Sequence, residues 1–452
     1  MAVIPDLESL SKHELIALIY AQQQRITSLE QEVHRLTERL QPPKRQLPRL
    51  AALLRRLKHP GQKPGHPGMT RATPSHIDRV VEQRLSRCPS CHGRLGASVA
   101  ITSHLQEDLI PARVEVTCFR RHRYYCGRCR VVVTAPAAPE EIPHSTLGPH
   151  VLAHALLLKY VHGLPFNKIR TCFQQFAALT ISEGALAQAL QRLAAWLQVE
   201  TTALREAIRL SPATHVDETG WKLTGVPHWL WAFVTDRLAY VHIDKSRGAR
   251  VPKEVLGESY PGIVVSDFYS AYNRLHGPQQ KCWVHLLREL RDCAKTELSD
   301  EYRRAHRGLR RIFLDARRLV RARGTLPPLR HERRQRRLEA RLLAWGVTPY
   351  RNTTLRRLAG RILKHHDQLL TFVKVPGLPY ENNQAERCIR PHVIIRKRSY
   401  QSRSPTGIAT HAQLMSLVQT LTLQGRAIGE TLRTAYLRHR HGDPTPVVVS
   451  GS

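Results

Sequence analysis

Acidic residues are scarce. The 452 residues contain 36 aspartates and glutamates against 70 lysines and arginines, a formal charge of +34. A basic surplus of that size, spread along the chain, implies a polyanionic partner, with nucleic acid as the first choice and an anionic membrane surface as the competitor. Long apolar runs are also missing: no stretch approaches the roughly 18 residues that would read as a membrane span. The opening residues MAVIPDLESLSKHEL lack the basic-then-apolar layout of a secretory signal. Cysteine is odd in number, nine, which excludes complete pairing into disulfides. Without export features, this favours metal ligands and free thiols in an intracellular chain.

What is present falls into segments, and the length allows two to four domains. Leu15, Ile19, Gln22, Ile26, Leu29, Val33, Leu36 and Leu40 alternate spacings of four and three. With Ile19, Ile26, Val33 and Leu40 at a, and Leu15, Leu29 and Leu36 at d beside Gln22, residues 1–41 read as a dimerising parallel coiled coil. An amphipathic helix packed on its own protein has the same pattern. Pro42 and Pro43 end it. Residues 42–75, with "KHPGQKPGHPGMTR" at 58–71, read as a basic Gly/Pro linker, either a plain tether or one that touches phosphates.

Residues 76–143 hold "CPSC" (Cys88, Cys91) and "CGRC" (Cys126, Cys129). Two such pairs supply the four thiolates of a closed tetrahedral zinc site. The 34 residues between them need strands to fill the gap, and alternation in "ARVEVTCFRRHRYY" supports this. Cys118 and His122 are decoy ligands, and a redox dithiol is the competing reading of the pairs.

Residues 144–210 read as helical. Thr180 and Glu183 have capping-box spacing, and Leu186, Leu190, Leu193 and Leu197 form a core stripe. The arrangement fits a helix-turn-helix that binds DNA and equally an ordinary helical packing unit. Strand patterns follow from 211 to 294: "ATHVDETGW", "HWLWAFVT", a turn at Asp236–Arg237, "LAYVHID", a helix near 248–257, a buried strand at Ile263–Ser266 and a short one at "KCWVH". Three strands at hairpin spacing, then a helix and another strand, imply a mixed α/β sheet with helices outside. Residues 295–375 return to helix, with fifteen arginines between Arg303 and Arg341. Among them Arg310, Arg311, Arg317 and Arg318 are candidates for the DNA backbone, against the alternative of a solvated face. Residues 376–440 complete the core, and 441–452 read as a disordered tail.

Asp217 and Asp267 are expected at strand ends, over a sheet edge. Glu386 opens a helix after an Asn-Asn turn, within "PYENNQAERCIRPHVIIRKRSY" at 379–400. Three carboxylates on separate elements suit two magnesium or manganese ions, the pair that clamps an in-line phosphoryl displacement. A metal also explains why carboxylates stand beside Arg387, Arg390, Arg396, Lys397 and Arg398, which would steer a phosphate backbone. Glu218 and Glu381 are alternative ligands, and caps or salt bridges are the alternative role for all five acids.

"HVDETGW", "SDFYSAYN", "CWVHLLREL" and "ENNQAERCIRP" together resemble the transposases of the insertion sequence 66 family. The resemblance covers nearly the whole chain, module by module. It implies a ribonuclease-H-like core with an Asp-Asp-Glu triad at Asp217, Asp267 and Glu386, interrupted by an all-α insertion in the 118 residues between the last two. Cys282 and His285 resemble the Cys-x-x-His signature of several transposase groups, with buried packing as the alternative. Glu381 stands where the family usually has aspartate. The implied function is cleavage and transfer of DNA strands at the element's terminal inverted repeats, in the cytoplasm and on the nucleoid. Expected partners are transposon ends, target DNA, a second copy through the coiled coil and accessory proteins of the same element, with no membrane. A zinc-containing DNA-binding regulator without catalysis, or a ribonuclease-H-like nuclease without strand transfer, are the alternatives.

Overall fold

A heptad pattern free of glycine and proline builds one long helix: α1 (Lys12–Leu40) runs 29 residues without a break. On it Ile19, Ile26, Leu29 and Val33 are 52–61% exposed. Exposed apolar side chains at heptad spacing are the situation a partner helix relieves. The structure is a computed structural model describing residues 11–40, 75–97, 105–106, 113–142, 145–294 and 299–449. The basic Gly/Pro stretch at 58–71 lies outside these residues. The chain divides into two units, Met1–Asp108 and Leu109–Ser452, each described by itself.

The second unit opens with a two-stranded antiparallel hairpin, β1 (Arg123–Cys126) with β2 (Val131–Thr134). Helices follow. α2 (Pro149–Leu156) has proline in its first turn and continues into a π-helical turn at Leu157–Val161. α3 (Phe166–Ala177) ends at Ala178 in the left-handed conformation, with α4 (Glu183–Trp196) and α5 (Gln198–Arg209) after it. The leucine stripe is core, as the spacing predicts: Leu186, Leu190, Leu193 and Leu197 are all buried. The cap is displaced from the expected Thr180. Ser182 Oγ accepts from Ala185 N–H at 3.1 Å, while Thr180 Oγ1 donates to Gln174 Oε1. Burial of Ile181 pulls the chain inward before the helix starts, so the next hydroxyl along caps it.

The sheet has five strands. β3 (Ala213–Leu223), β4 (Val226–Val234) and β5 (Ala239–Asp244) form an antiparallel meander. After α6 (Arg250–Leu256), β6 (Ile263–Ser266) and β7 (Gln279–Lys281) add in parallel on the other side of β3, giving the order β5-β4-β3-β6-β7. This mixed sheet flanked by helices is consistent with a ribonuclease-H-like core. α7 (Trp283–Cys293) leads into an insertion of three long helices, α8 (Asp300–Arg321), α9 (Pro328–Val347) and α10 (Thr353–Leu369), and a short α11 (Thr371–Lys374). The chain then returns to the sheet with α12 (Asn383–Ser399), α13 (Pro405–Gln424) and α14 (Ile428–Arg440).

Alternation along β4 divides the core. Trp231 and Phe233 face the body of helices α2–α6, α13 and α14, whereas Ala232 and Val234 face Ala385, Cys388 and Ile389 of α12. The insertion has its own core, including Leu309, Phe313, Leu342, Trp345 and Leu358, continuous with β6 through Val265 and Trp283. α13 also closes the edge of β5: Ser416 Oγ and Thr420 Oγ1 accept the outward N–H groups of Val241 and Ala239. That leaves less of the edge open to pairing with another chain.

The tail differs from the expected disorder. Buried Glu200 on α5 accepts the N–H groups of Val447 (2.7 Å) and Val448 (2.9 Å) and bonds His439 Nε2 (2.8 Å). Val448 is fully buried.

Candidate active site

β3 outruns its parallel neighbour. Ala213–His215 pair with Ile263–Val265, and β6 stops at Ser266. Asp267 is therefore the first residue past a strand end, as expected. Asp217 sits in the middle of β3, not at its end, because β4 carries the hairpin on to Leu223. It still lies over an edge, since β3 loses its parallel partner just before it. On β3, His215, Asp217 and Thr219 share the face toward Ala232 and Val234, the face on which α12 packs. Glu386 is in the first turn of α12, where the helix dipole favours a carboxylate.

Asn382 fixes that turn. It is fully buried, and Nδ2 donates to Val216 O at 2.8 Å while Oδ1 faces His215 Nδ1 at 3.1 Å. Its own N–H donates to Cys282 Sγ at 3.3 Å. The Cys-x-x-His pair thus meets the third acid's segment twice: Cys282 holds Asn382, and His285 Nε2 lies 3.7 Å from Glu386 Oε1. Cys282 is buried, its thiol pushed up by that burial, so it acts as a packed acceptor.

One oxygen of each aspartate is oriented by local backbone. Asp217 Oδ1 accepts from Glu218 N–H at 3.0 Å, and Asp267 Oδ1 from Tyr269 N–H at 2.8 Å. Glu386 Oε1 is buried without a hydrogen-bond partner. Burial, then the charges of Glu218, Asp267 and Glu386, push the Asp217 carboxyl up to about 8, against the opposing Glu218 amide. Crowded carboxylates with an unsatisfied oxygen are a donor set that a hard divalent cation fits. Among the described residues, no three His, Cys, Asp or Glu side chains converge at ligand distance. The acids are gathered within electrostatic reach, short of a closed cage.

One neighbour was not expected from sequence. Lys281 on β7 is fully buried, its Nζ 3.0 Å from Ser266 Oγ; burial pulls it down to about 8, against the charge of Asp267. Glu218, an alternative ligand by sequence, points to the other face of β3. There it accepts Arg247 Nε and Nη2 and the hydroxyl of Tyr272. Glu381 is half-buried at the approach to Asn382.

The sequence model of the transposase IS66 family matches residues 144–410, more than half of the chain. The chain belongs to the transposase IS66 family. Two relatives from Sinorhizobium fredii (strain NBRC 101917 / NGR234) are similar over most of their length. One, "Uncharacterized protein y4jD", is 27% identical over 390 residues, covering 78% of this chain and 75% of the relative. The other, "Uncharacterized protein y4qI", is 25% identical over 406 residues, covering 81% and 73%. Membership in a transposase family implies DNA as a partner. No helix among the described residues is long and apolar enough to cross a membrane.

The basic residues of this family member divide by geometry. Arg387, Arg390 and Lys397 of α12 are exposed. Arg396 is drawn onto β3, bonding Gly220 O and Thr219 Oγ1, and Arg398 donates to His162 O at 2.7 Å. In the insertion Arg310, Arg311 and Arg318 are exposed, Arg318 pairing with Asp315 at 3.1 Å. Arg317 is half-buried, its guanidinium over the rings of Phe313 and Tyr380 at 5.7 and 5.3 Å.

The two Cys-x-x-Cys turns are built alike. His92 N–H and Arg130 N–H each bond the carbonyl of the first cysteine, Cys88 or Cys126, at 2.8 Å, with φ of 60° and 54°. Amides of Cys91 and Ser90 lower the Cys88 thiol, and those of Cys129 and Arg128 lower Cys126. This favours the thiolate that zinc requires. Cys118 and His122 are exposed. A cavity of 680 Å³ between α5, β5 and α13, lined by Arg205, Tyr240, His242 and Asp244, includes none of the acids.

Proposed function

We propose that this chain is a DNA transposase that binds the terminal inverted repeats of its insertion sequence, cleaves their strands and joins the freed 3′-hydroxyl to target DNA. The observation that carries the reading is that Asp217, Asp267 and Glu386 lie within electrostatic reach of one another: burial first, then the charges of Glu218, Asp267 and Glu386, disfavour ionisation of Asp217. Asp217 and Asp267 would share two magnesium or manganese ions, and Glu386 would complete the second. Such ions supply charge stabilisation for attacking and leaving oxygens in line. The amides of Glu218 and Tyr269 keep one oxygen of each aspartate turned and leave the other for a metal. His285 lies beside the third acid, and Lys281 offsets negative charge behind Asp267. Exposed Arg387, Arg390 and Lys397 steer the DNA backbone.

Cys88, Cys91, Cys126 and Cys129 are assigned one structural zinc ion, supported by the matching turns with amides aimed at the first sulfur. The exposed seam of α1 is assigned to a homodimer, which would pair two transposon ends.

The test is incubation of the full chain with magnesium and duplexes bearing the flanking repeats, mapping nicks and joined products. Asp217→Asn, Asp267→Asn and Glu386→Gln should each abolish cleavage and leave end binding nearly intact. Normal cleavage by any one of them removes that residue from the triad. Nicks without joined products would favour a nuclease, and binding without nicks a regulator.

A further inference from the structure

α12 ends at Ser399, and the next residue takes an unusual backbone. Tyr400 has φ 62° and ψ −55°, and Gln401 N–H donates across it to Ser399 O at 2.7 Å. This is a γ-turn of the positive-φ kind, rare and strained for any residue with a Cβ.

The turn is gripped from both sides. Ser402 N–H donates to Lys222 O, and Thr224 N–H to Ser402 O, each at 3.0 Å. Gly225 N–H donates to Gln401 Oε1 at 2.7 Å and Trp221 Nε1–H to Ser402 Oγ at 3.1 Å. The β3–β4 hairpin holds 401–402 and α12 holds 399, which thrusts Tyr400 outward, 82% exposed. Glycine or asparagine would fill such a turn with less strain. The ring contributes no core packing, so its value lies in something outside the chain.

The surroundings say what. Lys222, Lys397 and Arg403 flank the turn, all exposed and none in an ion pair among the described residues. An outward aromatic ring among unpaired cations matches the two faces of a nucleic-acid strand, phosphates for the cations and a base for the ring. α12 also sets a distance. Tyr400 stands fourteen positions after Glu386, about 21 Å at 1.5 Å per residue, or about six base steps at 3.4 Å.

We propose that Tyr400 stacks on an unpaired base of the DNA engaged by the acid site, one that has left the duplex stack, with Lys222, Lys397 and Arg403 on the neighbouring phosphates. The proposal rests on DNA being the substrate.

The experiment uses the full chain and duplexes carrying the flanking repeats, with 2-aminopurine placed at successive positions across ten base pairs from the cleaved phosphate. Wild type should change the fluorescence at one position near the sixth. Tyr400→Gly should lose that signal and bind roughly 5- to 150-fold more weakly, the usual range for removing one base-stacking ring. Its melting temperature should be equal or higher, because the strain is relieved. Tyr400→Phe and Tyr400→Trp should keep both signal and affinity. Unchanged binding and fluorescence in Tyr400→Gly overturns the proposal, as does a loss in Tyr400→Phe equal to that in Tyr400→Gly. If Tyr400→Gly fails to fold, Tyr400→Asn, which tolerates positive φ, takes its place with the same outcomes. Wild type with no affinity for any of the duplexes overturns the DNA reading itself and the Tyr400 proposal with it.

Discussion

Arg247 holds Glu218 away from the acid site: Nε and Nη2 both bond Glu218 Oε1, at 3.1 and 2.9 Å. The Glu218 side chain is only 3% exposed, and Tyr272 takes its other oxygen. The guanidinium is itself stacked between Trp229 and Tyr269, 4.2 and 4.1 Å from the ring centroids. Tyr269 is the residue whose N–H orients Asp267. The clamp therefore joins β3, β4 and the loop after β6 around the two aspartates.

The two roles open to Glu218 differ in sign. As a clamp, Glu218→Gln and Arg247→Met should each weaken manganese binding by about 10- to 100-fold, the usual range for a residue supporting a ligand. The two effects should be non-additive, since they break the same ion pair. If Glu218 were a ligand, Arg247→Met would free it and tighten binding. Calorimetric titration of manganese into the full chain measures this without DNA.

The insertion should act on DNA through its exposed arginines alone. Neutralising Arg310 and Arg311 is expected to lower the slope of log affinity against log salt by about 0.9 for each phosphate no longer neutralised. Arg317→Gln should leave the slope unchanged, because that guanidinium lies over Phe313 and Tyr380. It should instead lower the melting temperature, through removal of cation–π attraction of about 0.5–2 kcal/mol. Equal slopes for wild type and the Arg310, Arg311 double variant would assign that face to solvent.

Legibility follows sequence distance. Asp267 is readable because four residues that make a buried strand precede it directly, and Glu386 because an Asn-Asn turn opens its helix. Asp217 is readable as a candidate acid but not in its place on the strand: alternation cannot show that β3 continues to Leu223 while β6 stops at Ser266. Glu218 resembles a ligand in sequence because Arg247 is 29 residues away and Tyr272 is 54 away. Arg317 does carry a local signal, since it lies four residues after Phe313, on the buried side of α8. The anchoring of 447–448 by Glu200 has none, because one carboxylate among many does not announce its partners.

A buried histidine pair behind α12 predicts acid sensitivity. Gln419 Nε2 donates to Cys388 O (2.8 Å) and lies 3.1 Å from His392 Nε2, so that nitrogen is the acceptor. His392 then carries its proton on Nδ1 and donates to His411 Nε2 at 3.0 Å. Both rings are neutral donors or acceptors in a closed chain. Burial pulls His392 down to about 3, and His411 well below its ordinary value, helped by the charges of His392 and Lys159.

The folded state thus binds fewer protons here than the unfolded chain. Stability from the pair is complete above the unfolded value near 6.5 and declines as pH falls below it, because the unfolded chain takes up protons that the buried pair does not. Lys159, lowered to about 8, completes its own change above this window. Urea melts of wild type and His392→Gln/His411→Gln between pH 7 and 4 separate the effect. The wild-type curve should fall more steeply, and parallel curves would show that the pair does not titrate with unfolding.

Zinc content tests the four-cysteine assignment. Cys88 and Cys126 each sit where amides of the following residues point at the sulfur, which favours the thiolate in both turns. The hairpin β1–β2 exposes Tyr124, Tyr125, Val131, Val132 and Val133, so its own packing contributes little and two short strands alone are marginal in water. A closed four-thiolate site, as proposed, would supply the missing stability and leave no position for water, which would exclude hydrolysis at that metal. The purified full chain should therefore contain one zinc per copy by metal analysis. Cys126→Ser/Cys129→Ser should lose it and become sensitive to protease within 76–143, while manganese titration of the acid site stays at the wild-type affinity. Full zinc content in that double variant would assign the metal to other ligands. A wild-type chain without zinc but protected over 76–143 would show that the turns fold by themselves.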